Sequence, residues 1–331
     1  MNLSYFFASF LAFLLALYGT PVARAAALRF GVVDNPDGRL KNQSEPVPYF
    51  GGLAIYLAVL IPLCLFYTFD QRILAILLSG TLVLLLGLID DFGVLTPAAK
   101  FMGQVIAAIV LIKSDVIIRI ESFPPYINLI LTVLWILGMT NAMNIIDIMD
   151  GLCAGISLVA SFCLFFVAAL KNDTMIAIFA LTLTGSLAGF LRYNFQPARI
   201  YMGDAGSMFL GLCLGALAII GDYSDFNRLA LYNPLLIFGV AIFDTIYVMI
   251  LRLMQRKSPF LGSKDHFAVR LKYAGWSIKK IVITAYVAGL FLGTVALFNM
   301  FLPSQASIIL YSILSFAFVV IGWGLARIKV A

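Results

Sequence analysis

The feature that most narrows what this chain can become is the repeated return of mostly apolar stretches, of the length a helix needs to cross bilayer hydrocarbon, roughly 20 residues. Eleven follow one another, near residues 3–20, 51–69, 73–89, 101–113, 126–143, 152–170, 174–191, 205–221, 230–252, 282–302 and 305–325. The fourth is short. With 63% hydrophobic and 11% charged residues among 331, the chain is too apolar to hide its greasy side chains in one soluble core. The expectation is an all-α polytopic membrane protein of about eleven transmembrane helices, forming a single integral-membrane domain over residues 1–331. The opening MNLSYFFASFLAFLLALYGTPVARAAA ends in alanines as a signal peptide would. It lacks a basic leading segment and is long enough to span, so it reads as a retained helix. Cys64, Cys153, Cys163 and Cys213 fall in the apolar runs without CxxC spacing, which suggests buried bulk rather than a disulfide or zinc framework.

Charge orients the chain. Seventeen of the 22 Lys and Arg lie on the connections after the first, third, fifth, seventh and ninth helices or in the tail, and five lie on the other side. The positive-inside rule then places the N-terminus outside and the C-terminus inside. The cytoplasmic loops are expected at about 21–50, 90–100, 144–151, 192–204 and 253–281. The same partition sends Asp90, Asp91, Asp147, Asp150 and Asp204 to the cytoplasmic side. A lone charge at a lipid boundary is expensive, so five acids on one face argue for a shared polar cleft; each could instead pair with a loop Lys or Arg.

Three stretches carry these five acids. In LLGLIDDFGVLTPAAKFMGQ, residues 85–104, adjacent carboxylates invite a divalent cation or a proton. Thr96-Pro97 reads as an N-cap followed by the first helical residue, which sets Lys100 near a helix N-terminus, a corner suited to phosphate. The plainer reading pairs Asp90 or Asp91 with Lys100 to hold two helices together. NAMNIIDIMDGL, residues 141–152, places Asn141, Asn144, Asp147 and Asp150 where one run ends and the next begins. In RYNFQPARIYMGDAGSMFLG, residues 192–211, Gly203, Gly206 and Gly211 around Asp204 and Ser207 allow close backbone approach to a ligand at the start of the eighth helix, or form only a capped turn.

The largest hydrophilic stretch, Arg252 to Lys280, holds eight basic residues and the only histidine, His266. Were Lys264 to Lys272 helical, His266 and Arg270 would share a face. Such a loop can clamp a polyanion or can merely obey the charge rule. Asp244, inside the ninth apolar run, is open to two readings, hydrogen-bonded packing and proton coupling. An ion-coupled transporter would be expected to gather polar groups at mid-membrane and to show internal repeats; here they crowd one surface and no repeat is evident. A scaffold role is the third class.

Taken in order, DDFGVLTPAAK, NAMNIIDIMDGL and PARIYMGDAGS resemble the DDxxxLxxxxK, NxxNxxDxxDGL and PAxxxMGDxGS motifs of the polyprenyl-phosphate N-acetylhexosamine-1-phosphate transferases. The segment VVDNPDGRLKNQSEPVPYFGGLAIY is similar to that family's first cytoplasmic segment, so the resemblance runs from about residue 32 to 271. Two departures stand out: no histidine near Asn42, and a last loop, SKDHFAVRL, with His266 alone followed by Arg270, closer to a KDHxxxRL variant than to the multi-histidine loop of the muramoyl-pentapeptide enzyme.

The resemblance implies transfer of a sugar 1-phosphate, with GlcNAc-1-phosphate the first choice, from a UDP-sugar to undecaprenyl phosphate, releasing UMP. A UDP-MurNAc-pentapeptide or another HexNAc donor is the alternative. It implies Mg2+ as cofactor, with Mn2+ a substitute, held by Asn144 and Asp204. Asp90, Asp91, Asp147 and Asp204 become the catalytic set. Lys100, Asn141, Asp150, Asn194, Gly203, Gly206, Ser207, His266 and Arg270 become substrate contacts. The implied setting is the bacterial inner membrane with the site facing the cytoplasm, partners being the lipid bilayer and the two substrates, no nucleic acid, and a homodimer left open.

Overall fold

The computed structural model describes residues 3–34, 46–221, 223, 227–258 and 263–330. After α1 (Leu3–Phe30), β1 (Val33–Asp34) pairs antiparallel with β2 (Val47–Pro48). Then come α2 (Gly51–Phe66), α3 (Gln71–Asp91), α4 (Pro97–Lys113), α5 (Pro125–Ile145), α6 (Leu152–Leu170), α7 (Thr174–Asn194) and α8 (Gly203–Ile220). A 3-10 turn (Arg228–Tyr232) leads into α9 (Asn233–Ile237) and α10 (Gly239–Met254), followed by α11 (Phe267–Tyr273), α12 (Ile278–Asn299) and α13 (Ser304–Ala326).

Every one of the eleven apolar runs is helical, and the protein is an all-α polytopic membrane protein. Among the described residues eight helices are long and apolar enough to cross a membrane, or nine if one bent pair counts as a span. The helices α2 and α4, of 16 and 17 residues, fall just short. Three expectations shift. The first helix continues to Phe30 instead of giving way to a loop near residue 21, because Ala23, Ala25, Ala26 and Ala27 carry strong helix propensity past Pro21. The ninth run is not one rod: Arg228–Ile237 and Gly239–Met254 meet at 74°, with Pro234 in the short first limb and Gly239 at the joint. Cys64 is exposed, whereas the other three cysteines are buried; all four are free thiols. Residue Asn42 lies outside the described residues.

Contacts divide the chain into two compact units, Met1–Gly221 and Asp222–Ala331. In the first, small residues let backbones touch, as they must where lipid is as apolar as leucine and no hydrophobic force draws helices together. Ala8, Ala12 and Ala16 form a fully buried stripe on α1. It meets α7, where a Cβ on Gly185 would strike the Ser9 carbonyl and one on Gly189 the Phe13 carbonyl. The deeply buried α8 packs against α2, α3 and α5, and glycines mark each crossing: Gly206 against Gly52, Gly87 against Ala205, Gly211 against Met139 and Thr140. These crossings bring the ends of α3 and α5 to the start of α8.

In the second unit a buried amide network braces the bend. Asn299 donates to Asn233 Oδ1 at 2.8 Å, Asn233 donates to the Ala296 carbonyl at 2.8 Å, and Asn227 donates to Ser307 Oγ at 2.6 Å. Ser307 in turn donates to Asn299 Oδ1 at 2.7 Å. Away from water each amide must find such a partner.

The substitution Gly185→Leu is expected to force α1 and α7 apart and to lower stability by about 1–3 kcal/mol, the usual cost of overpacking. The thermal unfolding midpoint in detergent checks this, with Gly138→Ala, a position open on its Cβ side, as the comparison.

Candidate active site

The site grows from the end of α3. Gly93, with φ of 72°, turns the chain, and Thr96 caps α4 by accepting from Ala99 N at 3.2 Å, with Pro97 as the first helical residue. Lys100 therefore stands in the first turn of α4, beside the carboxylates that close α3. Its ammonium donates to Asp90 Oδ2 at 2.7 Å and also to the Asp204 carboxylate at the start of α8. Asn144, from the last turn of α5, donates to Asp204 Oδ1 at 2.9 Å and to Ser207 Oγ at 3.0 Å. Ser207 donates to the Gly203 carbonyl at 3.0 Å. Asp204 is thus gripped from two helices.

Asp91 serves another end. It accepts from Asp204 N at 2.9 Å and lies 3.5 Å from Ala205 N, so it neutralises the exposed amides that open α8. Gly203, at φ of 69°, is required on two counts: its backbone is left-handed, and a side chain there would collide with the Asp91 carboxylate. The amides of Asp204 and Ala205 at the start of α8, where the sequence left open a ligand approach or a capped turn, face the Asp91 carboxylate.

Asp147 and Asp150 sit in the turn between α5 and α6. Burial, followed by the charges of Asp204, Asp91 and Asp150, pushes the Asp147 carboxyl up to about 8. Asp150 accepts from Ala198 N at 2.9 Å and thereby fixes the 195–202 connection. Buried Asn194 braces the same connection by donating to the Ile200 carbonyl at 3.0 Å, while its own Oδ1 has no partner among the described residues. Asn141 faces Gln104, donating to its Oε1 at 2.8 Å. The Cβ side of Gly206 is closed by Met202 and Gly52.

Four residues at this site were not singled out by sequence: Asp34, Tyr49, Gln104 and Tyr201. The ladder of β1 and β2 carries Asp34 and delivers Tyr49, while Pro48, Gly51 and Gly52 bond the Tyr201–Met202 backbone. Tyr49 and Tyr201 lie with ring centroids 6.2 Å apart. Burial, a hydrogen bond to Asp34, and the charges of Asp34, Asp91 and Asp204 all raise the Tyr49 phenol. Burial, then Asp150, Asp34 and Asp147, raise that of Tyr201. The signal lay in VPYFGG, whose glycines mark a close backbone approach.

His266 and Arg270 belong to the second unit. There α11 starts at Phe267, not Lys264, since His266 is extended at ψ of 147°. Arg270 faces inward: it donates to Asp265 Oδ1 at 2.7 Å and to the Ile328 carbonyl at 2.6 Å. Asp244 is fully buried and hydrogen-bonded to His266 and to the backbone of Phe267, the packing arrangement among its two readings. Residues 259–262 of this loop lie outside the described residues.

Among the described residues no group of three or more His, Cys, Asp or Glu forms a metal cage. Mg2+ does not need one, because it keeps several waters and is commonly held by one or two carboxylates together with substrate phosphates. The oxygen donors of Asp147, Asp204 and Asn144 suit such a hard cation. So does the charge, since the one ammonium of Lys100 is shared between the carboxylates of Asp90 and Asp204.

Comparison with known proteins bears on the same helices. The profile described as glycosyl transferase family 4 matches residues 73–222, from α3 through α8. A probable undecaprenyl-phosphate N-acetylglucosaminyl 1-phosphate transferase of Bacillus subtilis is 34% identical over 280 residues, spanning 82% of this chain and 78% of the relative. A decaprenyl-phosphate N-acetylglucosaminephosphotransferase of Mycolicibacterium smegmatis is 30% identical over 312 residues, covering 83% and 77%. A phospho-N-acetylmuramoyl-pentapeptide-transferase of Carboxydothermus hydrogenoformans is 31% identical over 279 residues, covering 76% and 83%. With the clustered acids lying on the helices the profile matches, and with relatives aligned over most of their own length, this chain is a member of glycosyl transferase family 4.

Proposed function

We propose that the protein transfers an N-acetylhexosamine 1-phosphate from a UDP-sugar to a polyprenyl phosphate, with undecaprenyl phosphate as acceptor and GlcNAc-1-phosphate as the group moved. The observation that carries this reading is the convergence on Asp204 of Lys100, which also reaches Asp90, and of Asn144, with Asp91 on the backbone of Asp204. Relatives named for GlcNAc phosphotransfer to undecaprenyl or decaprenyl phosphate support it. A muramoyl-pentapeptide donor is the second reading, favoured by the relative named for that substrate.

The chemistry follows from the charges. An oxygen of the lipid phosphate attacks the sugar-linked phosphorus of the donor, a new P–O bond forms, and the pyrophosphate bond to the nucleotide breaks, so that UMP leaves with the bridging oxygen. Two anions must approach, and catalysis is mostly positioning and neutralisation. Lys100 is placed to exchange a carboxylate for a phosphate oxygen. Asp204 and Asn144 would hold Mg2+, which when bound screens the diphosphate, with the Asp147 carboxyl within reach of the Asp204 charge. Asp90 would orient the acceptor rather than form a covalent intermediate, since a phosphate monoester is largely dianionic at neutral pH. The charge asymmetry of the loops supports a site facing the cytoplasm at the bacterial inner membrane.

Incubation of the purified protein with undecaprenyl phosphate, Mg2+ and a panel of UDP-sugars, scored by UMP release, tests the whole reading; no release with any UDP-HexNAc overturns it. In that assay Lys100→Ala is expected to lower turnover by about 100-fold or more, the scale of losing one charge-stabilising donor, and an unchanged rate would remove Lys100 from the phosphates.

Asp147 gives a pH test. Its folded carboxyl, raised to about 8, is mostly protonated at pH 7 and ionises as pH rises through 8. A divalent cation alongside favours the ionised form, so binding at pH 7 is expected to expel up to about one proton and to tighten between pH 6.5 and 8.5. Mn2+ titration followed by electron paramagnetic resonance and by calorimetry in buffers of different ionisation enthalpy measures both. In Asp147→Asn the proton release should vanish.

A further inference from the structure

At the end of α7 lies a cavity that the reaction above does not use. Its volume is about 260 Å3, and the last turn of the helix and the connection after it form its walls. Arg199 N donates to the Tyr193 carbonyl at 2.8 Å and folds that connection back on the helix, so that Arg192 and Arg199 line the same space. Leu191, Phe195 and Pro197 make it partly apolar, and Gln196 adds an amide.

The two guanidinium groups are unengaged. Among the described residues no carboxylate pairs with Arg192 or Arg199 and no acceptor meets either side chain, whereas Arg72, Arg119 and Arg270 each reach an aspartate. Each group carries five donors in a planar fork. Two such charges facing one cavity repel each other until an anion comes between them.

A third arginine arrives from α1. Ala8, Ala12, Ala16 and Thr20 follow one another along its buried face at intervals of four residues, and Arg24 is the next step of that row. Its Nε donates to the Arg199 carbonyl at 3.0 Å. The 28 residues of α1 extend over about 42 Å, against roughly 30 Å of hydrocarbon. With its apolar run in lipid, Arg24 stands among the headgroups.

Size and setting select the ligand. Pockets that enclose a whole small molecule have roughly 300–1,000 Å3, so this smaller cavity suits one group of a larger amphiphile. Phosphate oxygens match the guanidinium fork, and the apolar walls suit the carbons on either side of a phosphodiester. Obedience to the charge rule alone asks only that arginines stay on one side of the membrane, not that they face one cavity. Basic pockets beside transmembrane helices are where anionic headgroups are held.

We propose that Arg192 and Arg199, with Arg24 beside them, hold the phosphodiester of one anionic phospholipid, and that the bound lipid steadies the 195–202 connection. Asp150 and Asn194 already brace that connection at Ala198 and Ile200, and it runs directly into Gly203 and Asp204. The site goes beyond the transferase reading and does not depend on it.

The full-length protein in dodecylmaltoside is titrated with dioleoyl phosphatidylglycerol or with dioleoyl phosphatidylcholine, which has the phosphodiester without the net negative charge, and bound lipid is counted by native mass spectrometry. One phosphatidylglycerol per chain is expected where phosphatidylcholine is largely absent. The Arg192→Gln/Arg199→Gln protein should bind it about tenfold or more weakly, the scale of losing two charge-assisted contacts. Lys272→Gln/Lys279→Gln, which removes the same charge from two exposed lysines of the second unit, should bind as the unmodified protein does. In nanodiscs, amide hydrogen exchange over residues 195–199 should slow when phosphatidylglycerol replaces phosphatidylcholine.

Equal retention of the two lipids, equal weakening in the two double variants, or exchange at 195–199 indifferent to the lipid overturns the inference. Displacement of phosphatidylglycerol by millimolar inorganic phosphate, glycerol 3-phosphate or UDP gives the arginines to a water-soluble phosphate and overturns the lipid as ligand. If the arginine variant unfolds in a thermal-shift assay, the exchange and competition measurements on the unmodified protein decide.

Discussion

Carboxylates at the ends of apolar helices are held only if a cation and hydrogen-bond donors meet them, and here Lys100 does the first half of that work. It reaches Asp90 on its neighbouring helix and Asp204 on a helix more than a hundred residues away in sequence. Breaking a buried pair strands the partner charge, which is why such contacts constrain a structure more than they stabilise it. The rest of the first unit is consistent with this demand. Glycines at the crossings of α8 bring the backbones close enough for one short ammonium to span both acids.

The helices were legible in sequence because lipid imposes a length and an apolarity that no other environment asks for. Their ends were less so. α1 outran its apolar run because alanine propensity, not hydropathy, governs the stretch after Pro21. The bend at Phe238–Gly239 was invisible for the opposite reason. Hydropathy is uniform across it, and what breaks the rod is a proline in the short limb, a glycine at the joint and an amide network reaching across from α12 and α13.

The site was legible as a set of residues and partly opaque as a set of contacts. Thr96-Pro97 fixed Lys100 in the first turn of α4, since cap chemistry is local. That Asp91 would turn to the opening of α8 while its neighbour Asp90 met the lysine depends on which way two adjacent side chains leave a helix end, and that is set by tertiary packing. Tyr49 and Tyr201 escaped notice because an aromatic in a loop is unremarkable until a backbone ladder carries it to the acids. The basic loop that holds Arg270 could clamp a polyanion or merely obey the charge rule, and neither reading showed that Arg270 would donate to carbonyls at the end of α13.

The amide network of the second unit bears on how the chain reaches its folded state. Asn233 leaves the ribosome 66 residues ahead of Asn299, the side chain that satisfies it. Until that partner arrives, the bent segment has polar atoms that hydrocarbon cannot solvate. The polar side chains of the bent segment can therefore be paired in hydrocarbon only once α12 and α13, which carry Asn299 and Ser307, have been made.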